Sequence, residues 1–197
     1  MDVFEDVIAQ YLRLEFAIIQ GLFPDDVIDG LRHTLLEKKE AGLMHPAGIG
    51  KRFDFQTNLR VRGDSICWIE NNSTDRYERR FLDRIQDFST YLNQTCFTRI
   101  NDMEFHYAHY EAGSFYQRHR DQFRADKGRL FSFVLYLNDA WKEEDGGELR
   151  MFFPEYSVHV LPKKGNIAFF KSCDVEHEVR PATRDRMSVA GWLKSIP

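Results

Sequence analysis

The 197-residue chain has only 3 cysteines, Cys67, Cys96 and Cys173, and no two of them form a CxxC pair. That scarcity excludes a disulfide framework and a cysteine-rich structural zinc site, and it suits a reducing compartment, with the three thiols expected as buried apolar fillers. Neither sign of charge is in excess: 27 Lys and Arg against 31 Asp and Glu leave −4, so bulk charge does not point to a nucleic-acid binder. No apolar run approaches the roughly 18 residues of a membrane-crossing helix, and the acidic opening MDVFEDVIAQ lacks the charged start of a signal peptide. The expectation is a soluble, cytoplasmic monomer. Repeats and low-complexity segments are missing as well, which removes solenoids and disordered linkers.

A chain of this length makes one domain, 1–197, with a core of its own. Aromatic residues reach 14%, which favours a β-rich core or a lined cavity. The first half is patterned for helices. Val3 to Tyr11 reads as a short amphipathic helix and Arg13 to Phe23 as β-prone. Pro24 suits the first position of a helix, Asp25 and Asp26 complement its positive end, and Val27, Ile28, Leu31, Leu35 and Leu36 recur at helical spacing before a stop at Gly42. A second long helix is expected from Asp75, with Glu78 as capping-box partner and Phe81, Leu82, Ile85, Phe88 and Leu92 as its stripe. Between the two, AGIGKRFDFQTNLRVRGDSICWIE is glycine-rich, then basic at Lys51, Arg52, Arg60 and Arg62, then strand-like from Ile66 to Ile69. It reads either as a surface hairpin or as a flap over a substrate groove. Residues 1–100 would thus supply helical support and the flap.

From residue 101 onward, short β-prone runs alternate with turn signals: MEFHYAHY, SFYQRHRD, LFSFVLYLN, ELRMFF, SVHVL, NIAFF, EHEVR and MSVAGWL. Runs spaced this closely indicate a sandwich or barrel rather than βαβ units, and an eight-stranded jelly roll (a double-stranded β-helix) accommodates all of them. The fold class is therefore mainly β with supporting helices, the jelly-roll core spanning 101–197.

The chemistry centres on His119-Arg120-Asp121. If SFYQRHRD is a strand, His119 and Asp121 share a face and can point at one metal ion. His177 is the natural third ligand, completing the two-histidine, one-carboxylate triad of non-haem iron(II) oxygenases. An HRD triplet also occurs in protein-kinase catalytic loops, but QFRADK follows here without the required Asn, which excludes that reading. Arg186 lies nine residues beyond His177, and Ser188 two further on. A turn at Pro181 to Asp185 is expected to set the arginine strand antiparallel beside the histidine strand. A buried arginine there suits bidentate binding of the distal carboxylate of 2-oxoglutarate, and the Tyr136 hydroxyl could add a second hydrogen bond. His33, His45, His106, His109 and His159 are read as structural.

In order, VRGDSICWIE, YQRHRD, GRLFSFVLYLN, GGELRMF and HEVRPA with the later Arg186 and Trp192 resemble the motifs of iron(II)- and 2-oxoglutarate-dependent prolyl 4-hydroxylases. The likeness is to the group of the animal hypoxia-sensing enzymes and their bacterial relatives, and it runs from about Phe16 to Trp192. It implies iron ligation by His119, Asp121 and His177, and a cosubstrate carboxylate held by Arg186 and Tyr136. Tyr110, Leu149, Ser188 and Trp192 would line the cosubstrate pocket, with the Tyr110 to His119 spacing one residue shorter than in that group. Arg62, Asp64, Trp68 and Arg129 would belong to the substrate loop and groove, and Tyr116 to the entrance. Implied cofactors are Fe(II), 2-oxoglutarate and dioxygen, with ascorbate as a candidate reductant. The implied reaction converts a prolyl residue in a protein to 4-hydroxyproline, releasing succinate and carbon dioxide. Asp121 favours hydroxylation, because halogenating relatives lack that carboxylate. Kinship with bacterial members makes a translation elongation factor one candidate partner. Three other readings stand beside this one. Oxidative demethylation of nucleic acid would draw on Arg118, Arg120, Arg124, Lys51, Arg52 and Arg60, although such relatives place their arginine farther past the distal histidine. Hydroxylation of a free amino acid would leave the flap superfluous. A metal-free jelly-roll binding module is opposed by the intact ligand set.

Overall fold

The computed structural model describes residues 2–48, 61–122 and 128–196. The expected flap residues 51–60, and with them Lys51, Arg52 and Arg60, lie outside these segments, as does Arg124. Helix α1 (Val3–Leu14) starts at Asp2, whose side chain accepts from the Phe4 N–H, and buries Phe4 and Val7. Helix α2 (Asp25–Glu40) carries its acids in the first turn and Lys38 and Lys39 in the last, as the helix dipole favours. Pro24 is its N-cap, one position ahead of the expected place. Helix α3 (Arg76–Cys96) is capped by Asp75, whose side chain accepts from the N–H groups of Tyr77 and Glu78. Glu78 does not complete a capping box. Its carboxylate is turned into the protein, where Ser73 and Lys38 hold it, and Ser73 Oγ takes the Asp75 N–H instead. The two long helices cross closely at Gly30, where a Cβ would lie 2.2 Å from the Tyr77 ring.

The strands are β1 (Phe16–Ile19), β2 (His45–Pro46), β3 (Asp64–Ile69), β4 (Asp102–Tyr110), β5 (Tyr116–His119), β6 (Arg129–Tyr136), β7 (Leu149–Phe152), β8 (Ser157–Val160), β9 (Ile167–Lys171), β10 (Glu176–Val179) and β11 (Arg186–Lys194). The eight anticipated strands are β4 to β11, in order. They form two antiparallel sheets, β1-β9-β6-β11-β4-β3-β2 and β5-β10-β7-β8, which is the jelly-roll arrangement expected. Two expectations are corrected. The first half of the chain is more than a support, because β1 pairs with β9 and β3 with β4, extending the larger sheet at both ends. β10 and β11 are not neighbours either: residues 180–185 carry the chain from the smaller sheet to the larger one, so Arg186 faces His177 from the opposite sheet.

Strand β4 divides the interior. Phe105 and Tyr107 point to the helices, where they join Leu31, Phe81, Ile85, Phe88, Phe133 and Val189 in the larger core. Ala108 and Tyr110 point between the sheets, toward Tyr136, Leu149, Met151 and Phe170. From Phe105 to Tyr110 β4 is buried on both faces, so this part of the strand lacks the inside–outside alternation of a sheet with one solvated face. None of the cysteines is a core filler: Cys96 is exposed and the other two partly so, since aromatic side chains occupy the interior. Among the described residues no helix is long and apolar enough to cross a membrane.

Candidate active site

His119 and His177 face each other as cross-strand partners on β5 and β10, with ring centroids 4.3 Å apart. Asp121 follows in the bend just past β5, not within the strand, and its Oδ1 lies 3.3 Å from His119 Nε2 and 3.6 Å from His177 Nε2. The three donor atoms lie within 4.8 Å of one another, a spacing that one metal ion can span. Each ring is fixed by the carbonyl two residues earlier: His119 Nδ1 lies 2.8 Å from the Gln117 oxygen and His177 Nδ1 3.2 Å from that of Val175. A carbonyl can only accept, so both Nδ1 atoms carry protons and both Nε2 lone pairs point inward. Ser132 Oγ donates to Asp121 Oδ2 at 2.7 Å and in turn pairs with Ser172 Oγ at 2.9 Å. Burial pushes the Asp121 carboxyl up, but the two imidazoles and the Ser132 hydroxyl outweigh it and hold the group far below the ordinary carboxylate range. Burial, aided by His119, pushes His177 down to about 4, which leaves the imidazole neutral at physiological pH. Tyr116 stacks on His119 at 3.6 Å, and a register shift between β5 and β10 lets these residues, three apart, share a side.

The register of the larger sheet lays out the facing wall. Asp64, Tyr110 and Arg186 form one row, Ile66, Ala108, Ser188 and Tyr136 the next, and Trp68, His106, Ala190 and Val134 a third. In the first row Arg186 is buried, its Nε donating to the Gly147 carbonyl at 2.9 Å and its guanidinium carbon 5.0 Å from the ring centres of both Tyr110 and Tyr136. Gly147 makes this approach through φ +69, where a Cβ would sit 2.9 Å from Ala182. The Tyr136 hydroxyl is buried with no partner in hydrogen-bonding geometry, and burial raises its pKa against both the charge and the close approach of the Arg186 guanidinium. Burial likewise pushes Tyr110 up. An unpaired hydroxyl beside a buried guanidinium is a ready-made carboxylate cradle.

At the mouth, Arg62 grips Asp64 through Nε and a terminal nitrogen at 2.7 and 2.6 Å and lies 4.3 Å from the centre of the Tyr116 ring. Burial opposes the Arg62 charge, but Asp64 more than compensates and raises its pKa. The Asp64 side chain is fully buried and committed to that pair, so it positions Arg62 rather than meeting a ligand. Arg129 lies 3.4 Å from the centre of the Trp192 ring, pairs with Glu104 at 2.8 Å and donates to the Asp121 carbonyl at 3.1 Å. Trp192 therefore belongs with Trp68 at the entrance, away from Arg186. Arg118 is taken up by Glu176 and Phe152.

One cavity of about 340 Å³ is lined by every residue expected in the iron, cosubstrate and substrate sites except Tyr136 and Asp64, which pair or pack with the lining residues Arg186 and Arg62. Sequence reasoning missed Ser132, Ser172 and Gly147, and it read His106, which lines the cavity, as structural. Only the Gly-Gly pair at 146 and 147 carried a signal, as a place where another group approaches the backbone closely.

The profile of the 2OG-Fe(II) oxygenase superfamily matches residues 105–194. A crystal structure of a prolyl-4-hydroxylase from Pseudomonas putida superposes with a TM-score of 0.88 at 32% identity, covering 98% of this chain and 100% of that one. A Trichoplax adhaerens prolyl hydroxylase, solved with a hypoxia-inducible-factor peptide fragment, shares the fold with a TM-score of 0.86 at 23% identity, covering 98% of this chain and 89% of that one. Egl nine homolog 1 of Rattus norvegicus is 29% identical over 143 residues, 67% of this chain and 41% of that protein. Prolyl 3-hydroxylase OGFOD1 of Xenopus laevis is 31% identical over 78 residues, 34% of this chain. The chain spans 15% to 41% of the length of these curated relatives.

Proposed function

Because the chain belongs to the 2OG-Fe(II) oxygenase superfamily, as a member of prolyl-hydroxylase type, we propose that it hydroxylates a prolyl residue within a polypeptide, forming 4-hydroxyproline. One observation carries the reading: a preset donor set of two imidazoles and a carboxylate shares its cavity with a buried arginine flanked by an unpartnered tyrosine hydroxyl. The donor set fits ferrous iron, and the cradle fits a dicarboxylate.

In this reading His119 Nε2, His177 Nε2 and Asp121 Oδ1 hold the iron, and Arg186 with Tyr136 receives the far carboxylate of 2-oxoglutarate. Bound together with dioxygen, iron and 2-oxoglutarate supply the oxidising chemistry that yields succinate and carbon dioxide and places one oxygen atom on the substrate. The protein contributes position and dryness. Ser132 keeps Asp121 turned to the imidazoles, and the Gln117 and Val175 carbonyls keep both rings in the ligating tautomer. The Gly147 carbonyl aims the guanidinium. Leu149, Val134 and Val179 form the apolar wall that excludes water. Trp68 and Trp192 make an aromatic threshold suited to a proline ring, with Arg129 and the Arg62–Asp64 pair framing it. A translation elongation factor is the candidate substrate by kinship, ascorbate the candidate reductant, and a cytoplasmic monomer the expected form.

The test is succinate release with Fe(II) and 2-oxoglutarate, with and without proline-containing peptides, and mass spectrometry for the gain of one oxygen atom. Failure to bind iron would favour a binding module. Turnover stimulated by methylated DNA and by no peptide would favour a demethylase.

A further inference from the structure

His106 lies in the third row of the larger sheet, opposite Trp68 on β3 and Ala190 on β11. Its ring is 5.0 Å from that of Trp68 and 5.6 Å from that of Trp192, wedged between the two indoles of the threshold. It is 5% exposed, lines the cavity, and its Nδ1 is buried without a hydrogen-bond partner. The other buried histidines are satisfied: His109 by Lys39 and Asp185, each at 3.0 Å, and His177 by the Val175 carbonyl. Burial pushes His106 down to about 4, so the ring is neutral and offers one N–H and one lone pair. A buried polar group left unpaired costs stability that the empty protein does not recover, and a ligand completing it would recover that loss. The neighbouring guanidinium of Arg129 is already spent on Glu104 and the Asp121 carbonyl. The threshold therefore holds two uncharged polar groups without partners, the His106 Nδ1 and the Trp192 Nε1, on neighbouring rings, and of these only the imidazole can both donate and accept.

We propose that His106 hydrogen-bonds the main chain of the bound peptide beside the target residue, its imidazole N–H donating to a peptide carbonyl, and so fixes the register in which the peptide enters. The inference rests on the prolyl-hydroxylase reading and deepens it. A neutral imidazole suits an amide rather than a charged side chain. A prolyl nitrogen has no proton to donate, so the groups that flank a proline in a peptide present carbonyls first. His106 is on this view a positioning residue for the peptide, acting apart from the iron ligands and the carboxylate cradle.

The probe is a pool of capped synthetic peptides of about seven residues with a central proline; the sequence the wild-type enzyme turns over best is carried forward. His106→Phe keeps the ring and its packing but removes both nitrogens, whereas His106→Asn and His106→Gln keep a donor. His106→Phe should raise the peptide KM about tenfold, near the upper end for one neutral hydrogen bond, while kcat and the KM for 2-oxoglutarate move less than about threefold. Asn or Gln should recover most of that loss. Replacing the flanking amides one at a time by esters, whose carbonyls accept more weakly, should weaken the wild type at one bond and leave His106→Phe indifferent there. A peptide KM within about twofold of wild type in His106→Phe overturns the proposal, as does equal ester sensitivity in both proteins. If the Phe protein does not fold, Asn and Gln proteins with wild-type ester sensitivity support the proposal, and a uniform loss in both with no ester-sensitive bond overturns it. A wild-type enzyme that turns over no peptide in the pool removes the prolyl-hydroxylase reading itself, an outcome separate from an indifferent His106→Phe.

Discussion

Ser132→Ala takes one hydroxyl from behind the metal-binding carboxylate and disturbs little else. Ser132 is buried at 1% exposure, and its Oγ lies 2.7 Å from Asp121 Oδ2 and 2.9 Å from Ser172 Oγ. A carboxylate cannot donate, so the single Ser132 proton goes to Asp121 and the Ser172 hydroxyl must donate to Ser132. A hydrogen bond to an ionised group contributes about 1.5–3 kcal/mol, and removing the outer partner of a metal ligand costs about 10–100-fold in affinity. The two ranges agree, since about 1.4 kcal/mol corresponds to tenfold in an equilibrium constant. Anaerobic calorimetric titration with Mn(II) or Fe(II) should therefore show Ser132→Ala binding metal about 10–100-fold more weakly. Ser172→Ala, one hydroxyl removed, leaves the Asp121 bond intact and should cost less than about threefold. A Ser132→Ala protein within about twofold of wild-type affinity would mean that packing alone orients Asp121, and equal losses in both variants would refute the assigned direction of the hydrogen bonds.

Arg186→Ala should raise the KM for 2-oxoglutarate by about a hundredfold or more while Mn(II) affinity stays within about threefold, because a buried charge-assisted pair is lost and the donor set is not; unchanged cosubstrate dependence of succinate release would count against the cradle. Tyr136→Phe should leave urea stability equal or higher by up to about 1 kcal/mol, since the hydroxyl is buried unpaired, yet raise the KM for 2-oxoglutarate about three- to tenfold; a clear loss of stability would show that the hydroxyl already has a partner. Gly147→Ala adds a Cβ at φ +69 against Ala182 and Trp141 and should cost about 2 kcal/mol or more by denaturant midpoint, with a rise in the KM for 2-oxoglutarate; a neutral result would remove the close-approach argument. In metal-free protein, His106 and His177 have folded-state pKa values near 4, below the roughly 6.5 of an unfolded imidazole, so the unfolded chain binds more protons in that window. Stability is full above pH about 6.5 and falls toward pH 4, by up to about 3 kcal/mol for each ring; urea midpoints at pH 7 and pH 5 that coincide would refute this.

The strands of the core were legible because each is a short β-prone run bounded by turn residues, and β4 to β11 appear where those runs stand. The metal triad was legible because HxD near a strand end and a later histidine form a chemically rare set, although Asp121 turned out to sit in a bend rather than on the strand face. The placement of β11 was not legible. A six-residue link between His177's strand and Arg186's serves a hairpin or a crossing between sheets equally well, and only the pairing of β11 with β4 and β6 decides between them. Glu78 looked like a capping partner because its spacing from Asp75 fits, but a nearby Lys38 and Ser73 hold it inward instead. Ser132 escaped notice because it lies within an apolar run, where one polar residue looks like noise, and His106 was read as structural because nothing in its spacing shows the cavity it lines.

The carbonyls that lock the two imidazoles sit only two residues before each ring, at Gln117 and Val175, so the donor atoms are set before any ion arrives. A socket of two nitrogens and one oxygen, which leaves the rest of an ion's coordination to other ligands, has little means of telling divalent ions apart by shape. Intrinsic preference then governs, and along the first transition row cobalt, nickel and copper all outrank ferrous ion at such donors. Loading with iron is thereby handed to the supply of free metal around the protein, and material grown in a nickel- or cobalt-rich medium should arrive tightly filled, correctly folded and idle until the ion is exchanged.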